Sequence, residues 1–101
     1  MENLNIKLGK RIDTTNFLEV EKDLFDQIAV TPHKTLTLDA EDLDYIASSG
    51  LRVLLKIAKI DKTLRIINTD LKVYNIFEMT GFSKIINIEK KLRKIDLSKC
   101  T

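Results

Sequence analysis

Leu4, Ile6 and Leu8 alternate with polar residues at the start of the chain, the two-residue period of a strand with one covered face. That strand is predicted over roughly residues 3 to 13, with Gly9 marking a bulge or a close backbone approach before Ile12 and Asp13. The period then lengthens. Phe17, Val20, Leu24 and Ile28 recur at helical spacing, and Asn16 followed three positions later by Glu19 has the form of a capping box, so a helix is predicted from about Phe17 to about Ala29. Thr31-Pro32-His33 ends it, because proline cannot continue a helix. Leu36 and Leu38 then restore the strand period over Lys34 to Asp39.

An acidic loop, Asp39 to Asp44, leads into Tyr45-Ile46-Ala47-Ser48-Ser49-Gly50, after which Leu51, Leu54, Leu55 and Ala58 stand at i, i+3, i+4 and i+7. A second amphipathic helix is predicted to start at the serines. Leu64 to Asn68 is short and rich in branched apolar residues, which suits a strand with both faces largely covered. Thr69 or Asp70 can cap a third helix that turns Val73, Ile76 and Phe77 inward and stops near Met79, with Gly81 suited to the left-handed position beyond its end. Met79, Phe77 and Phe82 read as packing around that helix. Ile85 to Ile88 completes a β-α-β-α-β-α-β order. This is an α/β domain with a mixed, mostly parallel sheet of four or five strands, reached by right-handed crossovers and packed with helices. The domain is expected over residues 1–89. Residues 90–101 form a basic tail in which Leu92 to Leu97 could add an edge strand.

Composition narrows the function. A chain of 101 residues with 44% hydrophobic and 32% charged residues, 3 Gly and 1 Pro has the size and make-up of one ordered domain. A net charge of +2 is too small to argue for direct contact with nucleic acid or an anionic membrane. The apolar stretch from Leu51 to Ile60 is broken by Arg52, Lys56 and Lys59, so no bilayer span is expected. Cys100 has no partner for an intrachain disulfide and the first residues lack a secretory pattern, so a cytoplasmic location is expected. The lone His33 and Cys100 offer no ligand spacing, and no metal or cofactor is expected; His33 reads as an exposed loop residue. With no phosphate-binding glycine loop, dinucleotide turn or nucleophile–base pair, the chain is not expected to be an enzyme.

Two stretches, in this order and spacing, carry a resemblance. Glu41-Asp42-Leu43-Asp44-Tyr45-Ile46-Ala47-Ser48-Ser49-Gly50-Leu51-Arg52-Val53-Leu54-Leu55 is similar to the strand, D-S-S-G turn and helix of the STAS family, specifically the anti-sigma factor antagonists of the sporulation type. Phe77 to Ile86 is similar to that family's late helix, glycine and final strand, and Ile12-Asp13 resembles its G-x-L-D element with the glycine one position early, at Gly9. The resemblance implies a binding module whose partner is an anti-sigma factor that is also a serine kinase. Ser48, first serine of the turn, would take its phosphate, and a serine phosphatase would reset it. Ala47 stands where the family usually has an acid.

Asp13, Thr14, Ser48, Ser49 and Gly50 would lie on the implied partner surface. Arg52, Lys56 and Lys59, at i, i+4 and i+7, would extend it as a basic stripe. Two alternatives stay open: Ser48 and Ser49 serve only as helix caps and Asp13 as a turn residue, or the domain docks or senses without phosphorylation inside a larger regulatory protein.

Overall fold

The alternation at the start of the chain builds β1 (Asn3–Lys7), with Leu4 and Ile6 turned to the core and Asn3, Asn5 and Lys7 exposed. The computed structural model describes residues 3–91. The strand does not run on to residue 13. Continued alternation after Ile6 and Leu8 would point Lys10 into the core; instead the chain leaves the ladder, Lys10 stays exposed, and Arg11–Ile12 forms a separate short strand, β2. Gly9 makes no close approach, since a Cβ there would meet nothing within 4 Å.

Helix α1 (Phe17–Val30) follows, then β3 (Thr35–Asp39), β4 (Tyr45–Ile46), α2 (Ser48–Ile60), β5 (Arg65–Thr69), α3 (Leu71–Met79) and β6 (Asn87–Lys90). Strands β1, β3, β5 and β6 lie side by side in that order, every pair parallel, while β2 and β4 pair in parallel as a two-stranded ribbon. Ile6, Leu38, Ile66 and Ile88 stand in register across the four strands. This aliphatic row joins Leu24 of α1, Val53, Leu54 and Ile57 of α2, and Val73 and Phe77 of α3 in a single core. Because spatial order follows chain order, every crossover steps the same way, which puts the helices on one face.

The other face is polar. The row beside the aliphatic one reads Asn5, Thr37, Arg65 and Asn87, and buried Thr37 is satisfied by donating its hydroxyl to Asn3 Oδ1 at 2.8 Å. The expectation that residues 64–68 are covered on both faces is corrected accordingly: Leu64 and Ile66 are buried but Arg65 is exposed.

Several local expectations change. Asn16 precedes α1 but gives it no side-chain cap; its Oδ1 accepts from Asp13 N at 2.8 Å and its Nδ2 donates to Arg11 O at 2.8 Å, so the amide holds the preceding turn instead. Asp70, not Thr69, caps α3 by accepting from Lys72 N. Gly81 takes the left-handed conformation, φ 81°, but a 3-10 turn over Phe82–Lys84 intervenes and the last strand begins at Asn87, not Ile85. Phe77 and Phe82 stack with ring centroids 6.0 Å apart, whereas Met79 is 86% exposed and lies outside the core. His33 is not an exposed loop residue: its side chain is 12% exposed and clasped between the Thr31 carbonyl and Asp61. The added strand expected at Leu92 to Leu97 lies outside the described residues.

Candidate functional site

Ser48 is the first residue of α2, and its place is fixed by two backbone features. Ala47 N donates to Ile12 O at 2.8 Å, continuing the β2–β4 ribbon, so Asp13 and Ser48 emerge together from neighbouring strand ends. Gly50 then lets the helix settle on that ribbon. A Cβ at Gly50 would fall 2.7 Å from both Ile12 Cγ2 and Ile46 Cγ1, two buried β-branched side chains with no room to swing away. The glycine of the Ser-Ser-Gly turn is therefore a packing residue that seats the serines, and it is buried itself.

The serines do not cap the helix. The N-cap position belongs to Ala47, which has no side-chain acceptor, and no side chain caps α2. Ser48 is exposed, while Ser49 Oγ is sealed from solvent, and neither hydroxyl has a hydrogen-bond partner among the described residues. The first turn of α2 contains no acid, so its amides and the partial positive charge of the helix start are uncompensated.

Asp13 has a different neighbourhood. Its Oδ1 accepts from the Thr15 hydroxyl and the Thr15 amide, and its Oδ2 lies 2.8 Å from Arg11 Nε. The Thr15 hydroxyl first and then the Thr15 amide hold the Asp13 carboxyl below its ordinary pKa; burial opposes them, and the Arg11 charge adds a lesser lowering effect. It is thus a fixed anion at the end of β2, and the turn reading of Asp13 is realised. Thr14 between them is exposed.

The basic stripe is shorter than its spacing suggests. Lys56 donates to Glu21 Oε2 on α1 at 2.8 Å, so its charge is largely spent within the domain. Arg52 and Lys59 are exposed and make no ion pair among the described residues. Spacing on one helix cannot reveal an acid on the next one, and Glu21 was missed for that reason. Phe17, Glu21, Ser49, Arg52, Val53 and Lys56 line a cavity of about 150 Å³ between α1 and α2. On the other side of the ribbon a cleft of about 480 Å³ is lined by Lys10, Arg11, Asp44, Tyr45, Lys72 and Ile76. It too left no sequence signal, because its residues come from three separate segments.

Of the residues expected at the site, Asp13, Thr14, Ser48, Ser49, Gly50 and Arg52 are gathered around the start of α2, and Lys56 lies one turn beyond Arg52 on the α1 side. A family model described as the STAS domain matches residues 2–95 of the chain. The chain belongs to the STAS domain family. Comparison with curated proteins returns no relative. Within this STAS domain, the described residues contain no cluster of His, Cys, Asp or Glu able to hold a metal ion, and no described helix is long and apolar enough to cross a membrane.

Proposed function

We propose that this STAS domain is an anti-sigma factor antagonist: a non-enzymatic module that docks onto a serine-kinase anti-sigma factor through the start of α2 and is released when Ser48 is phosphorylated. The observation that carries this reading is the state of Ser48. It is an exposed hydroxyl at the first position of a helix, is used for no structural bond among the described residues, and stands beside Asp13 and Thr14. Such a serine can be modified without unfolding the domain.

Phosphorylation would add about −1.5 to −2 charges at the centre of a close-fitting surface. Desolvating that charge against a partner shaped for a neutral hydroxyl is unfavourable, and the phosphate would join the anion at Asp13 in repelling any acidic partner group that faces the site. The unmodified domain would hold the anti-sigma factor and free the sigma factor; the phosphorylated one would let go until a serine phosphatase removes the group.

Ala47 favours a second reading. STAS domains serve as anti-sigma factor antagonists and as regulatory modules related to sulfate transporters, and a domain without the usual acid before the serines suits constitutive docking or sensing within a larger regulatory protein. The two readings separate on binding. A partner that binds the unmodified domain and loses affinity at least about tenfold, roughly 1.4 kcal/mol, when Ser48 carries phosphate supports the switch. Binding that ignores both Ser48→Asp and phosphate at Ser48 supports the constitutive module.

A further inference from the structure

Ser48 and Arg52 are one helical turn apart on α2, at i and i+4, and both are exposed. Side chains at this spacing are neighbours on a helix surface, and an anion placed N-terminal to a cation is the favoured order. Arg52 makes no ion pair among the described residues, so its guanidinium is available. Glu21, which shares a cavity wall with Arg52, is engaged by Lys56 at 2.8 Å, and Asp13 at the end of β2 is engaged by Arg11 at 2.8 Å.

Arg52 also shares the wall of the cavity between α1 and α2 with Glu21 and Lys56, and those two are paired with each other.

We propose that Arg52 is a phosphate clamp: once Ser48 carries a phosphoryl group, the Arg52 guanidinium bonds it within the domain. This rests on Ser48 being the modified residue, as proposed above. The regulatory consequence is double. The phosphate adds negative charge to the docking surface and also withdraws from it a cation that the unmodified domain presents to its partner. A guanidinium suits the task because its planar fork gives two parallel bonds to phosphate oxygens.

The test needs no kinase. Phosphoserine is installed at position 48 of the full chain by genetic encoding, and the phosphate's second ionisation is followed by phosphorus NMR. The clamp holds that ionisation below its ordinary value of about 6; Arg52→Gln raises it by roughly half a unit or more, about a threefold change in proton affinity. Arg52→Lys, which keeps the charge but loses the fork, falls between. Lys56→Gln, which disturbs the pair with Glu21, moves it less than Arg52→Gln does. An ionisation unchanged by Arg52→Gln, or moved equally by Lys56→Gln, overturns the clamp. A normal clamp signature on the encoded phosphoserine, with no kinase able to modify Ser48, would instead remove the proposed switch and leave the clamp standing.

Discussion

His33 shows how much a single residue's role depends on what the fold brings to it. Its Nδ1 lies 2.8 Å from the Thr31 carbonyl and its Nε2 2.8 Å from Asp61 Oδ2. A carbonyl and a carboxylate only accept, so both ring nitrogens must donate, and only the imidazolium makes both bonds. The Thr31 carbonyl first, then the Asp61 carboxylate, raise the His33 pKa above its ordinary 6.5 despite burial. For Asp61, burial acts upward, but the bonds from the Thr63 hydroxyl, His33 and the Thr63 amide outweigh it and the pKa is lowered. The signs define a window. Stabilisation from a raised His33 is fully present below about pH 6.5 and is lost as pH climbs through the folded-state value; stabilisation from a lowered Asp61 is lost as pH falls through its own folded-state value. His33→Ala should therefore cost about 1 kcal/mol near pH 5.5, and the gap from the unmodified protein in denaturant melts should narrow steadily toward pH 9. A gap independent of pH would mean that His33 is held neutral. In the sequence, His33 is a lone histidine after a proline with its partner 28 residues away, so nothing local could announce the clasp.

At the scale of the elements, the serine turn and the start of α3 look alike in sequence but differ physically. Asp70 accepts from Lys72 N and caps α3, whereas α2 starts from Ala47 without a cap. Asp70→Ala is expected to destabilise by about 1 kcal/mol. Ser48→Ala should stay within about 0.5 kcal/mol of the unmodified protein, because it removes no described bond and alanine is a good helix former. Chemical denaturation of both variants decides it, and a loss at Ser48 equal to that at Asp70 would restore the capping role. Gly50→Ala tests the seat of α2. Alanine gains about 1 kcal/mol of helix propensity over glycine, but the new Cβ meets Ile12 and Ile46 at 2.7 Å, and overpacking of this kind costs about 1–3 kcal/mol. A net destabilisation is expected; a net gain would show that the ribbon yields.

The helices themselves were legible because each carries a stripe of apolar residues at helical spacing. The break between β1 and β2 was not, because Leu4, Ile6, Leu8 and Ile12 share one parity, and only the exposed charge of Lys10 hinted that the chain must turn. The start of α2 at the Ser-Ser-Gly run was legible from its local residues; the pairing of Lys56 with Glu21 on another helix was not.

For the whole molecule, a parallel sheet with its three helices on one face leaves the carboxyl ends of β2 and β4 and the start of α2 gathered at one place, with an exposed serine, a fixed carboxylate and an exposed arginine. On the proposed reading, a partner docks and a change of charge registers here without altering the core, because Thr14, Ser48 and Arg52 stand exposed while Gly50 and its isoleucine seat are buried. Arg52→Glu should therefore weaken partner binding by about tenfold or more through charge reversal while shifting stability by no more than about 0.5 kcal/mol. Calorimetry of binding and of unfolding on the same variant separates the two effects, and parallel losses in both would mean that Arg52 supports the fold.

The most direct test is to incubate the protein with a candidate anti-sigma serine kinase and ATP, map the phosphate by mass spectrometry, and measure the complex before and after. The account predicts one phosphate, on Ser48, absent from Ser48→Ala, with the complex weakened at least about tenfold once the phosphate is in place. A stable complex that acquires no phosphate, or one that keeps its affinity with Ser48 phosphorylated, would contradict it.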